Sequence, residues 1–193
     1  MNTQRSINPS HDRGIASLEL RALLVSSGFI NSFAFPLPGK EVQGTVAHMD
    51  DFLEEIDLGG PLNAPAAEKL VAYSRCLVEQ VPQFIDGHAH LCLGLSALGD
   101  FESAALAGYR KLSEIEAHLP HGGKVSIDYS DAANRPYFRL VDVTVDALLK
   151  SGTSEGLSGA TFIAGLCLAH NPSDQLGLRE RIGREVSRRY PGN

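Results

Sequence analysis

The chain contains no dense block of Lys or Arg and no long uninterrupted apolar run. Its 17 basic residues are outnumbered by 23 acidic ones, for a formal net charge of -6 and a sequence pI near 5.6. A protein that follows a phosphate backbone concentrates cations instead, so nucleic acid is not the expected partner. The most basic stretch, Arg179, Arg181, Arg184, Arg188 and Arg189, is interleaved with Glu180 and Glu185. It reads as a solvated helix face with cations toward its C-terminus, where the helix dipole favours them. The least charged early stretch, residues 22–39, is interrupted by Ser26, Ser27, Asn31, Pro36 and Pro38. It is too broken to span a bilayer and lies too far from Met1 to be an export signal. The few cysteines, Cys76, Cys92 and Cys167, are odd in number and widely spaced in apolar settings, and read as reduced core residues rather than a zinc site. Free thiols without an export signal make the cytoplasm the expected location. Period-two alternation is also scarce, with residues 124–129 the one strand candidate. No Gly-x-Ser-x-Gly, phosphate-binding loop or dinucleotide fingerprint occurs, and Asp128 and Asp131 lack the oxygen spacing of a calcium loop.

What is present is helical periodicity cut by Gly and Pro. At 193 residues with 43% hydrophobic and 21% charged residues, the chain suits one folded domain plus an extension. Residues 1–44 read as an N-terminal arm: a polar, mobile start, one helix carrying Ile15, Leu18, Leu20, Leu23 and Leu24, and a Pro- and aromatic-rich connection through Phe33, Phe35 and Leu37. Residues 45–193 read as a helical domain. Val46, Met49, Phe52, Leu53 and Ile56 recur at helical spacing, Gly59, Gly60 and Pro61 stop that helix, and a partner follows from Asn63 to Val81.

The clearest unit is residues 84–120. From Phe84 to Leu98 the apolar residues surround the helix, which must be sandwiched between neighbours. Gly99 and Asp100 turn the chain, and Phe101, Ala104, Ala105, Gly108, Leu112, Ile115 and Leu119 make a single stripe. Ala104, Ala105 and Gly108 permit close backbone approach, which offsets the cost of about 1 kcal/mol of a mid-helix Gly. Two antiparallel helices with a short turn form a hairpin. Leu91, Leu95, Gly99, Asp100, Phe101, Ala104 and Pro120 resemble the tetratricopeptide-repeat superfamily, although His88 stands where that family favours Trp. The resemblance implies an all-α, right-handed superhelix of stacked hairpins at about 45–82, 84–120 and 135–172, closed by a capping helix at 173–190. The spacing agrees: Pro82 and Pro120 are 38 residues apart, close to the repeat of about 34 residues, and Pro172 falls into step if residues 121–134 are an inserted loop.

The resemblance further implies a non-catalytic module, an adaptor or chaperone-like binder, that takes a polypeptide segment on the concave face of its first helices. Laid on that pattern, the face receives Asp86, Ala89, Leu93, Ser96 and Ala97 from one hairpin, and Arg139, Asp142, Asp146 and Lys150 from the next. These are mostly acids and small apolar groups, not the Lys, Arg and Asn with which the family's chaperone-tail binders clamp a carboxylate. Asp86, Asp142 and Asp146 would favour a basic segment, since gathered like charges focus a groove's potential. No cofactor, metal, nucleic acid or membrane is expected, and a homo-oligomer remains open. A competing reading is a metal-dependent hydrolase, because Asp86-x-His88-x-His90 is similar to the Asp-x-His-x-His segment of the amidohydrolases. That segment ends a strand, where both rings point to one side; on a helix, residues two apart diverge by about 200°. A third reading is a helical, oligomer-forming structural protein. His118 and His121 read as loop residues, not a catalytic pair.

Overall fold

The computed structural model describes residues 62–119 and 125–192. Six α-helices make up the described residues, with one 3-10 turn and no strand. The arm at 1–44, the helix expected at 45–56, Pro120 and His121 lie outside the described residues.

Each helix begins and ends on local chemistry. In α1 (Ala64–Gln80) the Asn63 side chain accepts the Ala66 N–H at 2.9 Å and Pro65 occupies the first turn, where its missing donor costs nothing. After α2 (Ile85–Ala97) the chain reverses at Gly99, whose φ of +82° lies in the left-handed region that side chains avoid. Asp100 then caps α3 (Phe101–His118) by accepting the Ser103 N–H at 3.1 Å. The 3-10 turn Ala132–Asn134 feeds directly into α4 (Arg135–Lys150). Thr153 caps α5 (Ser154–His170) through the Gly156 N–H at 2.9 Å. The last helix begins later than its sequence suggests: α6 spans Leu178–Arg189, and the Asp174 carboxylate accepts the Leu178 and Arg179 N–H groups at 2.7 and 3.1 Å.

Hydrophobic pattern decides which helices become central. α2 packs on α1, α3 and α4; α3 packs on α4, α4 on α5, and α5 on α6. α2 is apolar all round, so burial on several sides suits it. Ile85, Ala89, Cys92 and Leu95 of α2 join Leu112 and Ile115 of α3 and Phe138, Leu140 and Val141 of α4 in one buried cluster. Two glycines set how closely helices cross. A Cβ on Gly94 would lie 2.8 Å from a Val71 methyl of α1, and one on Gly108 would lie 2.0 Å from Thr144 Oγ1 of α4. The Thr144 hydroxyl is itself held by the Leu140 carbonyl at 2.6 Å.

The expected strand at 124–129 is absent among the described residues. Its described part, from Val125, is extended chain secured to the C-terminus of α5: the Ile127 N–H donates to the His170 carbonyl at 3.0 Å, and His170 Nδ1 donates to the Val125 carbonyl at 3.0 Å. His170 Nε2 meets Glu116 Oε2 at 3.1 Å, and the buried Tyr137 hydroxyl donates to Glu116 Oε1 at 2.9 Å. With an acceptor at each nitrogen, His170 is satisfied only as the imidazolium. Its pKa is accordingly raised, foremost by the Glu116 hydrogen bond, against the opposing effect of burial.

Of the three cysteines, Cys92 and Cys167 are buried as expected and Cys76 is not. Cys76 lies on the exposed side of α1, accepting from Gln80 Nε2 at 3.1 Å. Burial pushes the Cys92 and Cys167 thiols up to about 12, far from the thiolate that nucleophilic or metal chemistry needs.

Candidate functional site

The direct packing of α2 on α4 brings the predicted acidic residues alongside basic ones. Asp86 stands in the first turn of α2, where the helix dipole favours an anion. Arg139 reaches it from α4 with two parallel hydrogen bonds, Nε to Oδ1 at 2.8 Å and Nη2 to Oδ2 at 2.7 Å. The carboxylate is the buried partner, its side chain 10% exposed against 50% for the arginine. One turn further along α4, Asp142 and Asp146 flank Arg181 of α6: Nη1 bonds Asp142, and Nη2 lies 3.7 Å from Asp146. Lys150 Nζ pairs with Asp146 at 2.8 Å. Asp86, Asp142 and Asp146 are therefore all paired within the chain. Leu93 and Ser96 lie half-buried further along α2, and the Ser96 hydroxyl is enclosed without a hydrogen-bond partner.

The Asp86-x-His88-x-His90 segment lies on a helix, not on the strand end that the hydrolase reading requires. His88 Nε2 contacts the Pro82 carbonyl at 2.8 Å, and burial lowers its pKa to about 4. His90 is buried near Asp86 and Arg139, its pKa also lowered by burial first. Among the described residues no group of three His, Cys, Asp or Glu is placed to hold a metal ion. His118 ends α3, with Nδ1 2.7 Å from the Glu114 carbonyl. Asp128 and Asp131 spend Oδ1 on local turns, with Ser130 and with the Ala133 N–H respectively.

Two cavities bracket the charged row. One of about 630 Å³ lies where the turns after α2 and α4 meet, lined by Asp100, Phe101, Glu102, Leu148, Thr153 and Glu155 among others. The other, of about 350 Å³, is lined by Tyr129, Arg135, Phe138, Arg139, Asp142 and Leu176. No protein-family model, curated protein or solved structure matches the chain. Among the described residues no helix is long and apolar enough to cross a membrane.

Sequence reasoning misjudged the role of α6. Its arginines read as a solvated face, yet Arg181 and Arg189 have side chains only 21% and 13% exposed. Arg189 donates to the Thr153 carbonyl and, at 3.5 Å, to the Leu149 carbonyl, while Glu185 hydrogen-bonds both Arg188 and Arg189. The retrievable signal was local: Arg181 is one helical turn from Leu178 and Ile182 lies beside it, so part of this face had to point inward.

Proposed function

We propose that the chain is a non-catalytic interaction module of stacked, tetratricopeptide-like helical hairpins, and that it binds a polypeptide segment on the concave face formed by α2 and α4. The observation that carries this reading is the packing order. The first helix of one hairpin, α2, lies against the first helix of the next, α4, and α3 also packs on α4. That is the neighbour pattern of stacked hairpins. Arg139 pairs with Asp86, Arg181 of α6 stands between Asp142 and Asp146, and Lys150 pairs with Asp146, a series of alternating charge that supports this reading. Aligned opposite charges on such a face favour a segment of defined register over a featureless surface. The pairing of all three aspartates removes the ground for preferring a basic segment.

A photo-cross-linking amino acid placed at Ala97 or Lys150 on the inner face, and at Leu106 or Phe162 on the outer, tests the reading in the native cell. Capture of one defined polypeptide from the inner positions alone is the expected result, and capture only from the outer positions would overturn it. Self-association is a second reading favoured by a specific observation. Leu106, Tyr109 and Phe162 are 48%, 40% and 54% exposed on α3 and α5, and apolar residues left outside mark candidate contact surfaces. Cross-links from Phe162 to a second copy, with sedimentation that depends on concentration, would select it.

A further inference from the structure

We infer that the 350 Å³ depression between Tyr129 and Leu176 is a socket for an acidic peptide segment, one that presents a carboxylate-bearing residue beside an apolar one. The inference deepens the polypeptide-binding reading and rests on it.

The apolar part of the lining is Tyr129 and Leu176, both half-buried, the latter from the α5–α6 connection. Phe138, only 1% exposed, backs Tyr129 edge-on with ring centroids 5.0 Å apart. The rim is charged, with Arg135 and Arg139 one helical turn apart on α4 and Asp142 beyond them. Arg139 uses Nε and Nη2 on Asp86 and keeps Nη1 for another acceptor. Asp142 is matched by Arg181. Arg135 is exposed, and among the described residues no carboxylate lies within ion-pair distance of its side chain. Across the face, four cations, Arg135, Arg139, Lys150 and Arg181, stand against three carboxylates, Asp86, Asp142 and Asp146.

The positive excess therefore falls at the socket rather than along the row. It also falls at the wrong end of a helix for stability. α4 carries no acid in its first turn, and Arg135 opens the helix where the dipole is positive and a cation is disfavoured. The nearest acid in sequence, Asp131, accepts the Ala133 N–H of the preceding 3-10 turn, and a local preference broken in this way is expected at functional or strained positions. The two guanidiniums at the positive helix end select a carboxylate, and the half-buried Tyr129 and Leu176 give its apolar neighbour a contact. The socket shares Arg139 and Asp142 with the row of paired charges, and Tyr129, Arg135 and Leu176 extend it beyond that row.

The full chain, washed over an immobilised array of short peptides, tests this. The probes carry a central Asp-Leu or Glu-Phe pair, with matched peptides bearing Asn-Leu, Lys-Leu or Asp-Ser in its place. Expected is retention of the Asp-Leu and Glu-Phe peptides, about tenfold weaker binding of Asn-Leu, no retention of Lys-Leu, and weakening of all by added salt. Arg135→Glu and Arg135→Ala should abolish and reduce this retention, with circular dichroism unchanged because the side chain is exposed. Glu102→Gln, in the other cavity, should leave it intact. Peptides bound regardless of the acid, or unaffected by Arg135→Glu, would overturn the socket while leaving polypeptide binding standing. Retention of no peptide would also overturn it, and inner-face cross-linking then decides by itself whether polypeptide binding survives.

Discussion

His170 and Glu116, separated by 54 positions in the chain, meet at 3.1 Å between Nε2 and Oε2, and through them the end of α5 is held to α3. Both are largely buried, with side chains 7% and 16% exposed. Tyr137 donates to the other carboxylate oxygen, and its own pKa is raised well above the ordinary value by burial first and the Glu116 charge second.

The first prediction concerns pH. His170 has a folded pKa above its unfolded value of 6.5. Its contribution to stability is complete below 6.5 and is lost as pH rises through the folded pKa. His88 and His90 behave in the opposite sense. Their folded pKa values are lowered, that of His88 to about 4, so their contribution is complete above 6.5 and declines as pH falls below it. Urea unfolding across this range should show a stability maximum near 6.5. In His170→Gln the decline on the alkaline side should disappear while the acid side stays. An unchanged alkaline decline would contradict the imidazolium assignment.

Glu116→Ala should be costly, because it leaves the Tyr137 hydroxyl and the His170 ring buried without their acceptor. Unmade buried hydrogen bonds of this kind cost about 2–4 kcal/mol. Glu116→Gln, which keeps an acceptor, should cost less, and chemical denaturation would rank the two.

The α3–α4 crossing rests on Gly108. Gly108→Ala drives a methyl into Thr144, whose fully buried side chain is held by Leu140, and overpacking of this sort costs about 1–3 kcal/mol. Thr144→Ala removes Oγ1 and Cγ2 but leaves Cβ 3.0 Å from the new methyl. The double variant should therefore recover part of the loss, and a simple sum of the single effects would show that the contact is not the cause.

Asp86 and Arg139 form an asymmetric pair. Arg139→Ala strands the buried carboxylate, whereas Asp86→Asn leaves an arginine that is half in water, so the first should be the more destabilising. A double-mutant cycle should give a coupling of about 1 kcal/mol.

Arg181→Ala should loosen α6 selectively. Leu178 is the one fully buried residue of that helix, and Arg181 supplies its ion pairs to α4. Amide exchange should quicken over residues 178–189 while α2 remains protected; uniform quickening would mean that α6 supports the whole domain.

Helices and their ends were legible because their causes are local. The Asn63 and Asp100 caps, the Gly99 turn and the all-round apolar character of α2 act within a few residues, and the structure follows them. The start of α6 was misplaced because Ser173 and Asp174 both suit a helix start, while the chain spends residues 171–177 on turns, with Asp174 and Gly177 at positive φ, before its helix forms. The candidate residues lie on α2 and α4, but how their charges pair was not legible.

Over the described residues the sequence by itself determined that the chain is helical, most of the places where it turns and which helix is buried on several sides, since these depend on period, caps and breakers. The tertiary structure alone decided that Asp86 is paired by Arg139 53 residues away and Asp142 by Arg181 39 residues away. It likewise decided that Thr144 fills the space at Gly108 and that Arg135 meets no acid among the described residues. Such pairings depend on the stacking and rotation of whole helices about one another, a geometry fixed by the packed core and written in no single segment.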